Sequence, residues 1–147
     1  MKYLLILLTL LSYNAEAQSE EEAVKVVINA LFEGMRRSDS TGLKAVFAPG
    51  AILQTIASKD GKVSVRTDVV ANFITAVSKP QGVILDERII FGAILVDGAL
   101  ASVWTPYKFY LGEKFSHCGV NSFQLVKLDG SWKIQYLIDT RRKEACN

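Results

Sequence analysis

The sequence contains few of the residues that metal-binding and nucleic-acid-binding proteins depend on. Its 147 residues include one histidine, two cysteines and three prolines, and 17 basic residues nearly balance 15 acidic ones. One histidine and two distant cysteines do not match the ligand spacings of a zinc site, so we expect neither a metal nor a cofactor. A formal net charge of +2, with no basic block longer than residues 141–143, argues against a nucleic-acid partner.

The sequence also lacks an apolar run of the about 20 residues that a membrane-spanning helix needs. The apolar run at residues 3–11 follows the positive Lys2 and precedes the small-x-small pattern Ala15-Glu16-Ala17, which is typical of a secretory signal peptide. We therefore predict a signal peptide at residues 1–17, a single domain at residues 18–147 and a secreted or periplasmic location. We expect no stable membrane anchor after cleavage. The alternative is that the run is a short anchor.

Both cysteines, Cys118 and Cys146, lie in the last third of the chain. An oxidising compartment allows them to form a disulfide, because the tail after Arg142 has room to return over the strand that holds Cys118. The alternative is a buried Cys118 with Cys146 free on a loose tail.

Apolar residues recur at helical spacing in three segments of the first half of the chain. They predict helices at residues 20–37 and 41–47, and a third helix that is capped by Thr67-Asp68 and ends near residue 79. Between the second and third helices, residues 51–57 and 63–66 are predicted to form two short strands around an Asp-Gly turn.

The second half of the chain is predicted to be strand. Four long runs at residues 83–96, 99–111, 115–128 and 132–141 are separated by turn signals, two of which are Asp-Gly pairs. Helices that precede such a meander indicate an α+β domain, with three N-terminal helices packed on a curved antiparallel sheet.

The register of the last hairpin predicts which side chains face the helices. A two-residue loop at Asp129-Gly130 fixes the pairing and gives an apolar inner face and a mixed outer face. By the same counting, Asp139, Cys118 and Arg141 face outward, as does Asp86. Extended across the sheet, the register predicts these inward-facing residues: Phe91, Ala93, Leu95, Ser102, Trp104, His117, Asn121, Phe123 and Tyr136.

His117 and Asn121 are the polar exceptions on the predicted inner face, which makes them candidates for hydrogen bonds to a ligand. His117 is only a weak catalytic candidate, because no carboxylate is predicted beside it. The apolar part of the ligand site is assigned to Trp104, Phe91, Phe123 and Tyr136. The plain alternatives are a histidine hydrogen-bonded within the fold and aromatic residues that belong to an ordinary core.

The order of the elements resembles the cystatin-like cone of the nuclear transport factor 2-like superfamily. Within it, residues 117–125 (HCGVNSFQL), 130–134 (GSWKI) and 139–142 (DTRR) resemble the secreted bacterial family called putative lumazine-binding proteins. The resemblance implies a cavity between sheet and helices, a small organic ligand of flat heteroaromatic type and a homodimer packed through the sheet. The catalytic residues of the ketosteroid isomerases and scytalone dehydratase of that superfamily are not matched here, since there is one histidine and Asp139 is predicted to face outward.

The leading hypothesis is therefore a secreted small-molecule-binding protein, with Leu31, Phe73 and Ile74 closing its cavity from the helices. One alternative is a small dehydratase or isomerase that uses His117 as acid and base. Another is a dimeric interaction module that has no ligand and docks a partner on its outer sheet face.

Overall fold

The predicted α+β class is confirmed: three helices pack on one mixed sheet. The computed structural model describes residues 2–79 and 82–146, with side chains from residue 20 onward except that of Lys59. In chain order the elements are α1 (Lys2–Arg37), α2 (Ser40–Val46), β1 (Phe47–Lys59), β2 (Lys62–Val69), α3 (Val70–Ser78), β3 (Leu85–Ile89), β4 (Ala93–Asp97), β5 (Leu100–Leu111), β6 (Lys114–Leu128) and β7 (Ser131–Thr140).

The helices follow the predicted apolar spacing, but two of them begin elsewhere. Helix α1 starts at Lys2 rather than near residue 20, so it runs through the predicted signal segment, whose cleavage stays a prediction. Helix α3 starts at Val70, because Thr67 and Asp68 continue β2 and Val69 precedes the helix without a side-chain cap. Among the described helices, none combines the length and the apolar character needed to cross a membrane.

The sheet runs in the order β2-β1-β7-β6-β5-β3, and β4 also pairs with β5. Neighbouring strands in the sheet are antiparallel, except for β1 and β7, which are parallel. This parallel pair was not predicted: it joins the early hairpin to the C-terminal meander and makes the sheet mixed. The Asp129-Gly130 turn is as predicted, with both residues at positive φ (47° and 78°), as a two-residue hairpin loop requires.

A β-bulge at Ser116 changes which side of β5 faces the helices. Phe109 pairs with His117 but Tyr110 pairs with Phe115, so Ser116 is one extra residue in β6. Beyond the bulge, Val103 lies opposite the inward-facing Phe123. Because side chains alternate along a strand, the inward orientation predicted for Trp104 is wrong, and 51% of Trp104 is exposed.

The bulge also reverses the predictions for neighbouring residues. Ser102 shares the outer face with Trp104 and pairs with Leu95 of β4. Leu95 is 69% exposed and Ala93 is exposed as well, so their predicted inward orientation is wrong. The inner face of β4 instead presents Ile94, which packs against the core.

A second bulge, at Gln135, exchanges the inward and outward faces of β7 beyond that residue. Leu125 pairs with Ile134 but Gln124 pairs with Tyr136, so Gln135 is the extra residue. After it, Leu137 and Asp139 face inward, whereas the sequence register placed Tyr136 inward and Asp139 outward. Asp139 is buried, with 8% of its surface exposed.

The predicted strand at residues 83–96 is divided into β3 and β4, both of which lie along β5. The backbone leaves the ladder between them, where the Ile90 amide donates to the Pro106 carbonyl and the Gly92 amide donates to the Trp104 carbonyl, each at 2.9 Å. Phe91, in this break, packs against the core as a partly buried residue.

The core lies between the sheet and the inner faces of the helices, as the helical spacing predicts. Glu20 joins α1 to the last hairpin. Its carboxylate accepts hydrogen bonds from Lys127 Nζ (2.6 Å) and Trp132 Nε1 (2.8 Å). The residues of the core are Val24, Ile28, Leu31, Phe32, Met35, Leu43, Val46, Phe47, Leu53, Ile74, Val77, Leu85, Ala101, Val103, Phe123, Leu125, Trp132 and Ile134.

The C-terminal tail is held against the outer face of β6. Cys118 and Cys146 form the predicted disulfide, with their Cα atoms 5.8 Å apart. The backbones of Cys118 and Arg142 exchange two hydrogen bonds of 2.9 Å. The strand that carries the buried Cys118 therefore holds the tail at two points.

Candidate functional site

A cavity of about 460 Å³ opens between the sheet, α1 and α3. One side is apolar and includes Leu31 and Phe73, which were predicted to close it, whereas Ile74 is in the core. Most of the polar lining residues come from the sheet, which also contributes apolar ones. The lining residues are Leu31, Phe32, Met35, Leu53, Gln54, Thr55, Arg66, Asp68, Asn72, Phe73, Ala76, Val77, Leu85, Glu87, Phe109, His117, Asn121, Leu137, Asp139 and Arg141.

A line of polar side chains crosses five neighbouring strands on the inner face of the sheet. Each member lies directly opposite the next in the strand pairing, so all point to the same side. We call it the polar row: Thr105, Asn121, Asp139, Thr55 and Arg66.

Asp139 is the most strongly hydrogen-bonded member of the polar row. Its Oδ1 accepts from Thr55 Oγ1 at 2.6 Å, and its Oδ2 accepts from Arg141 Nε at 2.8 Å. The Tyr107 hydroxyl lies 3.1 Å from Oδ2 and 2.9 Å from the Thr140 carbonyl oxygen. These bonds compensate for the burial of the carboxylate, so Asp139 primarily organises the wall of the cavity.

Gly119 makes the Tyr107 contact sterically feasible. A Cβ atom at this position would overlap the Thr140 carbonyl and touch the Tyr107 ring. Only glycine leaves the phenol a path across β6 to Asp139.

A second line of residues lies two positions along the strands from Tyr107 and Gly119. Glu87 of β3 pairs with Phe109 of β5, which pairs with His117 of β6. The Phe109 and His117 rings lie 5.0 Å apart between centroids, at 37°. An aromatic surface therefore separates a carboxyl group from an imidazole on the cavity wall.

Glu87 is half-buried and accepts one hydrogen bond, from Asn121 Nδ2 at 2.8 Å. Burial, together with the charge of Asp139, raises the pKa of Glu87 to about 7, although the Asn121 bond and the Arg141 charge act in the opposite direction. At neutral pH the carboxyl group can therefore gain or lose a proton readily.

His117 contributes an imidazole that is mainly neutral at pH 7. Burial and the Arg141 charge lower the pKa of His117, opposed by Asp139. Its Nδ1 lies 3.1 Å from Ser116 Oγ. Within the described part of the chain its Nε2 has no hydrogen-bond partner, so this atom is available to a ligand.

The structure brings two of the six predicted ligand residues to the cavity, His117 and Asn121. Trp104 lies on the opposite face of the sheet, as described above. Phe91 and Phe123 pack in or against the core without lining the cavity. Tyr136 is turned away by the Gln135 bulge and donates to Gln54 Oε1 at 2.6 Å. Whether His117 and Asn121 bind a ligand stays a prediction.

Sequence reasoning missed Glu87, Thr55, Asp139 and Arg141. A signal for Glu87 exists, because it alternates with Leu85 and Ile89 and so occupies a core-facing position of β3. No comparable signal marks Asp139, since its orientation depends on a bulge. In the described residues, no group of three or more histidine, cysteine or acidic side chains is arranged to hold a metal ion.

Residues 19–136 match the family described as "Putative lumazine-binding". No curated protein matches the chain by sequence.

Solved structures share the fold at low sequence identity. One is an NTF2-like protein with a cystatin-like fold from Novosphingobium aromaticivorans, with a TM-score of 0.75, 9% identity and coverage of 94% of this chain and 92% of that chain. Another is an NTF2-like protein of unknown function from Shewanella baltica, with a TM-score of 0.67, 18% identity and coverage of 86% and 96%. A third is described as a putative dehydratase of the NTF2-like family from Streptomyces avermitilis, with a TM-score of 0.65, 13% identity and coverage of 86% and 98%.

Proposed function

Since the chain belongs to the putative lumazine-binding family of the nuclear transport factor 2-like superfamily, we propose that it binds a small organic molecule in the cavity between α1, α3 and the sheet. The observation that carries this proposal is the cavity itself, which combines apolar side chains of the helices and sheet with polar side chains that come mainly from the sheet. A volume of about 460 Å³ accommodates a ligand of two or three rings. A flat heteroaromatic molecule of the lumazine type is the first class to test.

Two of the polar groups that line the cavity lie next to its aromatic surface. His117 Nε2 and the second carboxyl oxygen of Glu87 flank Phe109, whereas Asp139 is already fully hydrogen-bonded. The ligand would therefore place its ring on the Phe109 surface and its polar edge toward β3 and β6. His117→Ala is expected to weaken binding about tenfold through the loss of one buried hydrogen bond.

The first experiment is native mass spectrometry of the protein purified from its own source, which reports a retained ligand directly. The second blocks the cavity from its mouth. Asn72 is exposed on α3 and lines the cavity, so Asn72→Trp should fill the entrance without disturbing the core. Thr75→Trp, on the same helix but outside the cavity lining, is the matched control. Equal binding by both variants would contradict the proposed site.

An enzyme is a second candidate, because Glu87 has a pKa of about 7 and lies in one row with His117. A dehydratase or isomerase would use one group to remove a proton and the other to return it. This candidate requires turnover that both Glu87→Gln and His117→Ala abolish, whereas a binding protein has no turnover to lose.

We also propose that the protein works outside the cytoplasm as a homodimer. The Cys118–Cys146 disulfide supports an oxidising compartment. The outer face of the sheet exposes Trp104 (51%), Leu95 (69%) and Leu100 (52%), which are apolar residues that a second copy would cover. Light scattering should then give twice the chain mass for the wild type and the monomer mass for Trp104→Glu. If the wild type is a monomer that still binds ligand, the dimer proposal is wrong and the binding proposal stands.

A further inference from the structure

We propose that the cavity selects planar ligands that carry a positive charge, with Glu87 as the counter-charge. The inference rests on the proposed binding function and adds the chemical class of the ligand. It comes from a difference between Glu87 and the other carboxylates of the cavity.

Both of the other carboxylates that line the cavity have an arginine partner. Arg66 Nη2 lies 2.9 Å from Asp68 Oδ2, and Arg141 Nε lies 2.8 Å from Asp139 Oδ2. Within the described residues, Glu87 has no cationic partner and accepts only the neutral amide of Asn121. A half-buried carboxylate without a counter-charge is unfavourable, and a cationic ligand would offset that cost.

The arginines nearest to Glu87 along the chain and on α1 are already paired. Arg36 and Arg88 both contact the neighbouring Asp86, at 3.0 and 2.7 Å, and Arg36 also pairs with Glu33. Asp86 thus forms ion pairs with two arginines, whereas Glu87 forms none within the described residues. The arrangement leaves the cavity side of β3 negative whenever Glu87 is ionised.

The remaining charged groups around the cavity do not reverse that sign. Arg141 is balanced by Asp139, and Arg66 by Asp68. Burial and the Arg141 charge lower the pKa of His117, so its ring is neutral near pH 7 and does not compete with a cation. With these pairs cancelled, ionised Glu87 supplies the net charge of the side chains that line the cavity. Lys143, whose charge also lowers the pKa of His117, is outside that lining.

The surface beside Glu87 suits a flat cation. Phe109 is its direct cross-strand neighbour, and the Phe109 ring lies beside the His117 ring. A delocalised cation bound at Glu87 would therefore lie within reach of an aromatic ring, which adds cation–π attraction to the charge pairing. A planar amidinium or protonated amino-heterocycle has both properties.

Three probes of nearly identical shape test the proposal: 2-naphthamidine, which is cationic, 2-naphthamide, which is neutral, and 2-naphthoate, which is anionic. At pH 8, where Glu87 is ionised, we expect the wild type to bind the amidine at least tenfold more tightly than the amide and the naphthoate more weakly than both. Glu87→Gln should lose that tenfold preference for the amidine over the amide. Dissociation constants are measured by calorimetry or ligand-observed NMR.

Glu113→Gln is the charge-matched control, because Glu113 is exposed in the β5–β6 turn and its loss changes the net charge equally. It should keep the wild-type preference. A second readout is proton release at pH 7, measured in two buffers of different ionisation heat. Amidine binding should release about half a proton from wild type, because the Glu87 carboxyl is about half protonated there, and none from Glu87→Gln.

The outcomes separate this inference from the proposed function. Amide and amidine of equal affinity, both excluded by Asn72→Trp, would overturn the cation preference and leave the binding cavity intact. If the naphthoate binds most tightly of the three probes, the cation preference is overturned as well. Failure of all three probes to bind would count against this ligand class, while the retained-ligand experiment would still decide the proposed function.

Discussion

The Tyr107 hydroxyl lies 3.1 Å from the Asp139 carboxylate, across the strand that separates them. It also lies 2.9 Å from the Thr140 carbonyl oxygen. Its proton is shared between the two acceptors, and burial followed by the Asp139 and Glu87 charges raises the pKa of Tyr107. The phenol therefore stays neutral and holds β5 to β7 at the polar end of the cavity.

Tyr107→Phe removes this link and leaves a buried carboxylate one donor short. We expect a loss of about 1–3 kcal/mol in the free energy of unfolding, measured by urea titration. Tyr110→Phe is the control, because Tyr110 contacts the Phe115 ring and Arg88 through its own ring. Equal losses in the two variants would mean that the Asp139 contact does not stabilise the fold.

Thr55 and Thr105 form a matched pair within the polar row. Thr55 donates to Asp139, whereas the buried Thr105 hydroxyl has no partner among the described residues. Thr55→Val should cost about 1–3 kcal/mol, because it breaks a bond to a charged acceptor. Thr105→Val should be neutral or stabilise the fold by about 1 kcal/mol, because it removes an unsatisfied polar group of similar shape. Thermal and urea unfolding check both signs, and a destabilised Thr105→Val would point to a partner for that hydroxyl.

Glu87 predicts a pH dependence of stability. Its pKa rises from an ordinary 4.5 to about 7 in the fold. Between these values the folded state holds a proton that the unfolded state has lost, so the contribution of Glu87 to stability falls as pH rises through this window and levels off above pH 7. Relative to Glu87→Gln, the wild type should lose about 1–3 kcal/mol from pH 4.5 to 7, allowing for partial solvation of the carboxyl.

Unfolding free energies of the two proteins at several pH values check this slope. Glu113→Gln, which alters an exposed carboxylate, should track the wild type throughout. A gap between wild type and Glu87→Gln that widens in favour of the wild type with rising pH would contradict the assigned pKa direction.

The disulfide should stabilise both the fold and the position of the tail. Cys118 and Cys146 are separated by 28 residues, and closing a loop of that size contributes about 3–4 kcal/mol in the chain-entropy treatment. Cys146→Ser should lower the unfolding free energy by this amount without touching the buried Cys118. A reducing agent should destabilise the wild type equally and leave Cys146→Ser unchanged; a variant that still responded would require another cause.

Much of the fold was predictable because it follows local rules. Periodicity identified the helices, and the Asp129-Gly130 turn fixed the start of the last hairpin. Compartment and strand placement predicted the Cys118–Cys146 pair. His117 and Asn121 were found as polar residues on an apolar face, and both line the cavity.

The orientation of Asp139 and Arg141 toward the cavity was not predictable, for a specific physical reason. Inward and outward positions alternate, so each bulge exchanges the two faces of everything beyond it. The bulge at Ser116 made the predicted orientation of Trp104 wrong, and the bulge at Gln135 made the predicted orientations of Asp139 and Tyr136 wrong. Neither residue has a distinctive local signal, because the bulges fit the strands to neighbours that are distant in sequence. The parallel pairing of β1 and β7 is likewise long-range.

That parallel pairing sets the order in which the molecule can be assembled. The Thr55–Asp139 bond joins residues 84 positions apart, and Asp139 lies near the end of the last strand. A chain still being synthesised therefore has β1 and β2 without β7 beside them until residues 131–140 have emerged. Such non-local closure is slow compared with helix or hairpin formation. The cavity therefore forms only once β7 is in place, and a chain that stops before residue 138 would lack the strand segment that carries Asp139 and with it this wall of the site.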